Sequence, residues 1–384
     1  MTRGVRVGRA FGVDIRLDAS WFVVSILIAW SFRGLFASTA SVETLDPWRH
    51  TLLGIMAAAL FFVSVVVHEL SHAIVAMRKG IEVESITLFI FGGVAKIKSE
   101  AKGPGDEFQI AGVGPLTSLV LAAILFGLGV LAEGFRLAPA AVLFQVLALV
   151  NAGLAIFNLV PGFPLDGGRL LRAGIWKATG DIVKATRFAA WGGKGVAAIL
   201  ISGGLAGPFL HESAPRWAGR LLPEDIFGGL WWVMLGFFLA QAATASYKQT
   251  LLMKAVEGIT VSSVMSPSPM SVPGNTFLED LPPSGPEGIV ALTGYMGEIE
   301  GLISTEMTAV VPIEKWSSVM ARQVMVQVSA ETVLSPQDSV EEMLQRASEH
   351  PGPFLVMSEG QLLGVVRPSD VFRLRPVKDL EASA

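Results

Sequence analysis

Residues 65–75 of this chain read VVVHELSHAIV. His68 and His72 are four residues apart, which places both imidazoles on one face of a helix, one turn from each other. Two metal ligands on one helix need this spacing, and Glu69 beside them could accept a proton from a water molecule on that metal. The stretch therefore predicts a metal site carried by a helix.

The segment around this motif is long enough to cross a bilayer. The run from Leu52 to Met77 is apolar apart from the motif itself, and a transmembrane helix needs about 20 such residues. A His-Glu-x-x-His string also occurs by chance in soluble proteins. Ionisable groups inside a span, however, cost about 2.5–3.5 kcal/mol each on insertion scales, so they are retained where they have a function. The apolar context favours a metal site over a chance match.

The composition is that of a membrane protein without thiol chemistry. Of the 384 residues, 52% are hydrophobic and 16% are charged, whereas a typical soluble domain has about 25% charged residues. The net charge of -4 provides no basis for nucleic-acid binding, and no nucleic-acid partner is expected. The chain has no cysteine, which excludes thiol catalysis, disulfides and zinc–thiolate sites. Any metal must be held by His, Asp or Glu.

Six apolar segments are long enough to span a membrane, and the first is the shortest. They are expected near Trp21–Phe36, Leu52–Met77, Phe108–Leu131, Ala140–Val160, Ala185–Leu205 and Ile226–Tyr247.

The basic residues predict the orientation of these spans. The N-terminal 20 residues are basic rather than signal-like, and Val13–Leu17 alternates as a short strand would. Most Lys and Arg residues of the connecting segments fall on the same side as this N-terminus. Because positive residues are retained in the cytoplasm, a multi-pass protein of the cell membrane with both termini cytoplasmic is expected.

A third ligand is expected in NLVPGFPLDGGR, residues 158–169. Two prolines must break the fourth span there, and two glycines let the backbone turn tightly. Irregular backbone at membrane depth is tolerated where it is buried or lines a wet cavity. A catalytic zinc takes three protein ligands and keeps one position open, so Asp166 is the candidate. Taken by itself, Asp166 could instead cap the next helix or pair with Arg169.

These two motifs, in this order and in these spans, resemble the site-2 protease family of intramembrane metalloproteases, in its six-span prokaryotic branch with a C-terminal pair of CBS domains. The resemblance implies that His68, His72 and Asp166 hold one zinc ion and that Glu69 is the general base. It also implies that Asn158 steadies the oxyanion. On the residues alone, Asn158 could make an interhelical hydrogen bond instead.

Residues 81–98 are rich in β-branched side chains and carry a Gly92-Gly93 pair. The resemblance places short strands here that dip towards the active site, where an exposed strand edge could bind an unwound substrate. An ordinary cytoplasmic hairpin is the alternative. Asn151 and the Gly-Val-Gly-Pro run at 112–115 are interpreted as helix-packing residues.

The chain becomes polar after Val261, with short β-type runs. We therefore expect an α-helical polytopic membrane protein with a soluble α+β tail. The predicted domains are a transmembrane metalloprotease domain at 1–255 and a CBS-like tail at 256–384. A degenerate internal repeat would divide this tail into units at about 258–318 and 319–376.

The second unit ends in LGVVRPSDV, residues 363–371. This run resembles the closing strand and helix start of a CBS domain, which implies that Asp370 contacts the ribose of an adenine nucleotide. The first unit has Met307 where the corresponding Asp is expected. The alternative is a docking or dimerisation module, and a homodimer through the tail is a further expectation.

The functional prediction is a zinc-dependent endopeptidase that cleaves transmembrane segments of membrane proteins, for example an anti-sigma factor-like protein. Two alternatives use the same site: a metal transporter or sensor, and a catalytically inactive relative. Transporters usually show inverted repeats and ionisable groups spread over several spans, whereas here these groups collect at one site. An inactive relative would be expected to lose Glu69, which this chain retains.

Overall fold

A computed structural model describes residues 4–97, 101–210, 213, 215, 219, 222–282, 288–347, 350 and 352–374. The chain divides into two compact units, Met1–Thr250 and Leu251–Ala384. Among the described elements, the first contains five long apolar helices and most of a sixth, which ends in the second unit, and the second contains most of the short strands.

Six helices of the described residues are long and apolar enough to cross a membrane. They are α1 (Ala19–Ala37), α2 (Pro47–Arg78), α3 (Pro104–Gly134), α4 (Ala138–Asn158), α6 (Ile182–Leu210) and α7 (Ile226–Val256). A shorter helix, α5 (Asp166–Thr179), lies between the fourth and fifth of them. At most 39% of the most apolar window of any of the six is buried within the protein, so the remaining apolar surface suits contact with lipid. The six predicted spans are confirmed.

Local sequence signals set the helix ends. Asp18 caps α1 by accepting a hydrogen bond from the Ser20 backbone N–H at 2.9 Å. Helices α2 and α3 begin at Pro47 and Pro104, where the missing proline N–H costs nothing. Helix α5 ends at Thr179 and is followed by Gly180, whose φ of 71° is the left-handed conformation common after a helix.

The loop after α4 packs directly against α6. The fourth span breaks ahead of its prolines, as predicted; the helix ends at Asn158, two residues before the expected Val160, and the chain continues irregularly to Leu165. A Cβ at Gly193 of α6 would lie 1.9 Å from the Phe163 carbonyl oxygen, and one at Gly162 would lie 2.3 Å from the Gly193 nitrogen. Backbone meets backbone here, so only glycine fits. This contact holds the loop that delivers Asp166.

A four-stranded sheet packs against the helix that carries the histidine pair. Its strands are β1 (Val5–Ala10), β2 (Val13–Leu17), β3 (Val83–Phe89) and β4 (Gly92–Ile97), in that order. Strands β2 and β3 are parallel, and the other two pairings are antiparallel. Val13 and Ile86 are fully buried in a cluster with Ala73 and Ala76 of α2. Burial of these apolar side chains fixes the sheet beside α2.

The second unit contains two four-stranded sheets that exchange a strand. Their orders are β6-β7-β8-β9 and β10-β11-β12-β5, so each sheet is completed by a strand from the other half of the unit. The strands are β5 (Ser266–Pro267), β6 (Ser271–Pro273), β7 (Ile289–Thr293), β8 (Ile299–Ser304), β9 (Val326–Gln327), β10 (Val333–Leu334), β11 (Phe354–Ser358) and β12 (Gln361–Val366), with helices α8 (Thr305–Thr308) and α9 (Val340–Ala347). The two sheets share the same sequence of parallel and antiparallel pairings. The expected architecture, apolar helices with short strands and then an α+β tail, is confirmed.

Candidate metal centre

Helix α2 presents His68 and His72 towards one point. Both side chains are buried, at 3% and 7% exposure, and their Nε2 atoms lie 3.2 Å apart. Two ligands about 2.0–2.1 Å from a zinc ion at a tetrahedral angle would be separated by roughly 3.3 Å. The pair therefore has the separation that a shared zinc ion requires.

Asp166 reaches the two histidines from a helix much later in the chain. It is the first residue of α5, and Oδ2 lies 3.2 Å from Nε2 of each histidine. The N-cap of α5 is Leu165, without a side-chain cap bond, so Asp166 does not cap the helix. Arg169 Nε lies 3.5 Å from Glu107. In the structure Asp166 therefore faces the histidines, and neither alternative role describes its contacts.

The donor set calls for a cation between the three side chains. His72 Nδ1 lies 2.6 Å from the Ile110 carbonyl oxygen. Because a carbonyl can only accept, Nδ1 carries a proton and the neutral ring has its lone pair on Nε2. That lone pair meets Asp166 Oδ2 at 3.2 Å, and two acceptor atoms this close repel each other unless a metal ion or a proton lies between them. Within the described part of the chain, His68, His72 and Asp166 form a group whose ligand atoms are close enough to hold one metal ion. Two nitrogens and one oxygen suit zinc.

Helix α3 supplies the surroundings of both imidazoles. The Ser118 hydroxyl lies 2.9 Å from His68 Nδ1 and is fully buried, and the Ile110 carbonyl on His72 Nδ1 is the usual outer contact of a metal-bound histidine. A Cβ at Gly114 would lie 2.1 Å from His72 Nε2 and 2.8 Å from His68 Nε2. Sequence reasoning treated residues 112–115 as packing and missed this role. The feature of the sequence that could have indicated this role is a glycine next to a proline within an apolar span, because it marks a close approach between helices.

Glu69 lies against the sheet. A Cβ at Gly93 of β4 would lie 2.5 Å from Glu69 Cγ and 3.0 Å from Oε1. Strand β4 is the end strand of its sheet and pairs with β3. The hairpin of β3 and β4 therefore reaches the glutamate next to the histidine pair, which an ordinary solvent-side hairpin would not do.

The two asparagines of α4 differ in their contacts. Asn158 is half-buried and donates a hydrogen bond to the Leu154 carbonyl within its own helix at 3.0 Å. Asn151 is fully buried and donates to Leu147 O at 2.8 Å and to Ser64 Oγ of α2 at 3.3 Å. The interhelical hydrogen bond considered for Asn158 is thus found at Asn151, in agreement with its packing role.

The tail contains a cavity of about 540 Å³. Its wall includes Ser304, Thr305, Glu306, Arg367 and Ser369, but not Asp370.

Asp370 itself is 2% exposed and caps a helical turn. Its Oδ2 accepts the Arg367 backbone N–H at 2.8 Å, and Oδ1 lies 3.4 Å from the Arg367 guanidinium. Its contacts are therefore with the cavity wall rather than with the cavity.

Comparison with known proteins gives consistent matches. Residues 56–142 and 133–202 match Peptidase family M50. The protein named "Putative zinc metalloprotease Rip3" from Mycobacterium tuberculosis is 33% identical over 382 residues, covering 97% of this chain and 93% of that protein. The structure of the site-2 protease from Methanocaldococcus jannaschii is 26% identical with a TM-score of 0.41, covering 64% of this chain and 95% of that one. A CBS domain-containing protein from Bacillus anthracis is 23% identical with a TM-score of 0.27, covering 34% of this chain and 99% of that one.

Proposed function

This chain belongs to peptidase family M50 and is an intramembrane zinc metalloprotease of the site-2 protease type, and we propose that His68, His72 and Asp166 hold its zinc ion. We assign Glu69 as the general base. The observation that carries this assignment is the convergence of Nε2, Nε2 and Oδ2 within 3.2 Å of each other, with Glu69 next in sequence to one of the ligands.

The chemistry follows from the placement of these side chains. His68, His72 and Asp166 would hold the zinc ion, which when bound would lower the pKa of a water molecule and polarise the scissile carbonyl. The Glu69 carboxylate takes up the proton of the attacking water and returns it to the nitrogen of the leaving amine. The family resemblance assigns Asn158 to the oxygen that becomes negative; its amide has two N–H groups, and the bond to Leu154 uses one of them, which leaves the other able to donate.

Strand β4 is the proposed substrate-binding element. A protease cuts an extended backbone, so a transmembrane helix must unwind before cleavage. Within the described part of the chain β4 has a strand partner on one side only, and its outer edge can pair with such a segment through main-chain hydrogen bonds. Because Gly93 touches Glu69, a substrate strand added to β4 would pass beside the general base. The substrate class is therefore a transmembrane segment, with an anti-sigma factor-like protein as one expected example.

The orientation and the tail extend this proposal. The bias of basic residues supports cytoplasmic N- and C-termini. The cavity in the tail has a volume suited to a small ligand, and Arg367 with neighbouring hydroxyls suits the phosphates of an adenine nucleotide. Asp370 would act there by holding Arg367. Homodimer formation through the tail stays a prediction.

Two variants of the full-length chain test the proposed site. In detergent, Glu69→Gln should keep one zinc ion per chain and lose cleavage of a transmembrane substrate, since only the proton acceptor is removed. Asp166→Ala should lower zinc affinity, because a ligand is lost. Metal analysis and mass spectrometry of the products give the two readouts, with exposed Glu133→Gln as the control. Full activity of Glu69→Gln would remove Glu69 from its role, and an unchanged zinc content of Asp166→Ala would remove Asp166 as a ligand.

A further inference from the structure

A buried carboxylate lies between α3 and α5, outside both metal-site motifs. Glu107 is in the first turn of α3 and is fully buried. Its Oε1 accepts hydrogen bonds from Nε of Arg172 at 3.0 Å and from the Nη2 of the same guanidinium. Arg169 Nε lies 3.5 Å from the same oxygen. A buried charge persists when it is paired in this way, so Glu107 holds two arginines of α5.

Both arginines belong to the helix that begins at the proposed zinc ligand. Arg169 and Arg172 follow Asp166 by one and two helical turns, at i+3 and i+6. The Arg172 guanidinium also lies 5.2 Å from the ring centre of Phe163, in the loop just before Asp166. Arg172 thus connects Glu107 to both the loop and the helix that deliver the aspartate.

The same face of α3 holds the two histidines. Ile110 and Ser118 recur at helical spacing after Glu107, and they contact Nδ1 of His72 and of His68 respectively. One face of α3 therefore contacts both parts of the site. Ile110 and Ser118 position the two histidines of α2, and Glu107 positions α5, which begins at Asp166. The relative position of ligands that are far apart in sequence depends on this common support.

We propose that Glu107 is a positioning residue for the metal site, which acts through Arg172 to set the location of Asp166 relative to His68 and His72. This inference rests on the proposed function, since it takes Asp166 as a zinc ligand. A metal site requires its ligands within about 0.5 Å of the productive geometry. Without the Glu107 charge, Arg172 loses the charge-assisted hydrogen bonds that join α5 to α3, so α5 can shift and move Asp166 with it.

The test uses full-length protein loaded with Co²⁺, whose visible absorption reports the ligand geometry. Glu107→Gln keeps the shape of the side chain and removes its charge. We expect its metal affinity to fall about 10–100-fold, the range found for outer partners of metal ligands, and its cobalt spectrum to shift towards that of Asp166→Ala. Exposed Glu133→Gln, at the other end of α3, should match the wild type.

A second variant decides the question if Glu107→Gln does not fold. Arg172→Lys keeps the positive charge but loses the planar fork that binds the carboxylate through two N–H groups. This variant should fold, bind metal more weakly and show a changed cobalt spectrum. Arg187→Lys on α6 is the control and should keep the affinity and spectrum of the wild type. Wild-type affinity and spectrum in Arg172→Lys, or in a folded Glu107→Gln, would overturn the proposal. If those variants behave as the wild type but Asp166→Ala loses its metal, the positioning role of Glu107 is wrong and the proposed zinc ligands are supported. If Asp166→Ala retains its metal, Asp166 is not a zinc ligand and the proposed metal site is itself wrong.

Discussion

Gly114 of α3 faces His72 of α2 so closely that a Cβ at position 114 would lie 2.1 Å from His72 Nε2. Real carbon atoms do not approach an imidazole nitrogen to this distance. The imidazoles reach their shared point because this position of α3 has no side chain. The close packing of α2 on α3 and the geometry of the metal site therefore both depend on the absence of a Cβ at position 114.

Gly114→Ala should lose zinc binding while the protein still folds. The added methyl group pushes the His72 ring away from Asp166, and the methyl group would also meet His68 Nε2, at 2.8 Å. Zinc content after purification and cleavage of a transmembrane substrate measure the effect. Gly112→Ala in the same helix is the control, because its Cβ would lie 3.7 Å from Leu170, an ordinary contact. Equal zinc content in the two variants would contradict the expected clash.

Ser118→Ala should lower zinc affinity about 10–100-fold without abolishing binding. The hydroxyl, 2.9 Å from His68 Nδ1, holds the ring in the orientation that points Nε2 at the metal. Competition with a chelator of known affinity measures the change. Ser202→Ala, whose hydroxyl donates to carbonyl groups of its own helix, should keep wild-type affinity. A Ser118→Ala variant that resists the chelator as the wild type does would refute this role.

Gly93→Ala should lower kcat and leave the zinc content unchanged. The new methyl group would lie 2.5 Å from Glu69 Cγ; since the Glu69 side chain can rotate, the strand stays in place and the carboxylate is displaced. Cleavage kinetics and metal analysis on the same preparation separate the two effects. Gly127→Ala has open space around its Cβ and should behave as the wild type. Loss of zinc in Gly93→Ala would show instead that β4 supports the metal ligands.

Asn158→Ala should reduce kcat about 10²–10³-fold, the usual cost of losing one oxyanion donor, with zinc retained. The reason is that its amide donates to charge that exists only in the transition state, so KM should change little. Asn275→Ala in the tail, an exposed position, provides the control. A wild-type kcat in Asn158→Ala would limit Asn158 to its hydrogen bond with Leu154.

Several features of this protein follow from local sequence alone. The six spans are readable because the free energy of inserting a helix depends on its own length and apolarity. The imidazoles of His68 and His72 share a helix face because residues four apart always do. The break after the fourth span was predicted from its prolines, which cannot donate the backbone hydrogen bonds that continue a helix; the helix ends at Asn158, two residues before the expected Val160.

Tertiary structure decided which of several local roles each remaining residue takes. From the sequence alone, Asp166 could cap a helix, pair with an arginine or bind a metal. Packing of the helices places its carboxylate beside His72, 94 residues away. The contacts of Gly114 with His72, of Gly93 with Glu69 and of Glu107 with Arg172 join different elements in the same way. A residue's own neighbours determine its backbone and its preference for lipid or water. Which side chains meet across helices depends on how whole surfaces fit together, and that fit is recorded only in the folded arrangement.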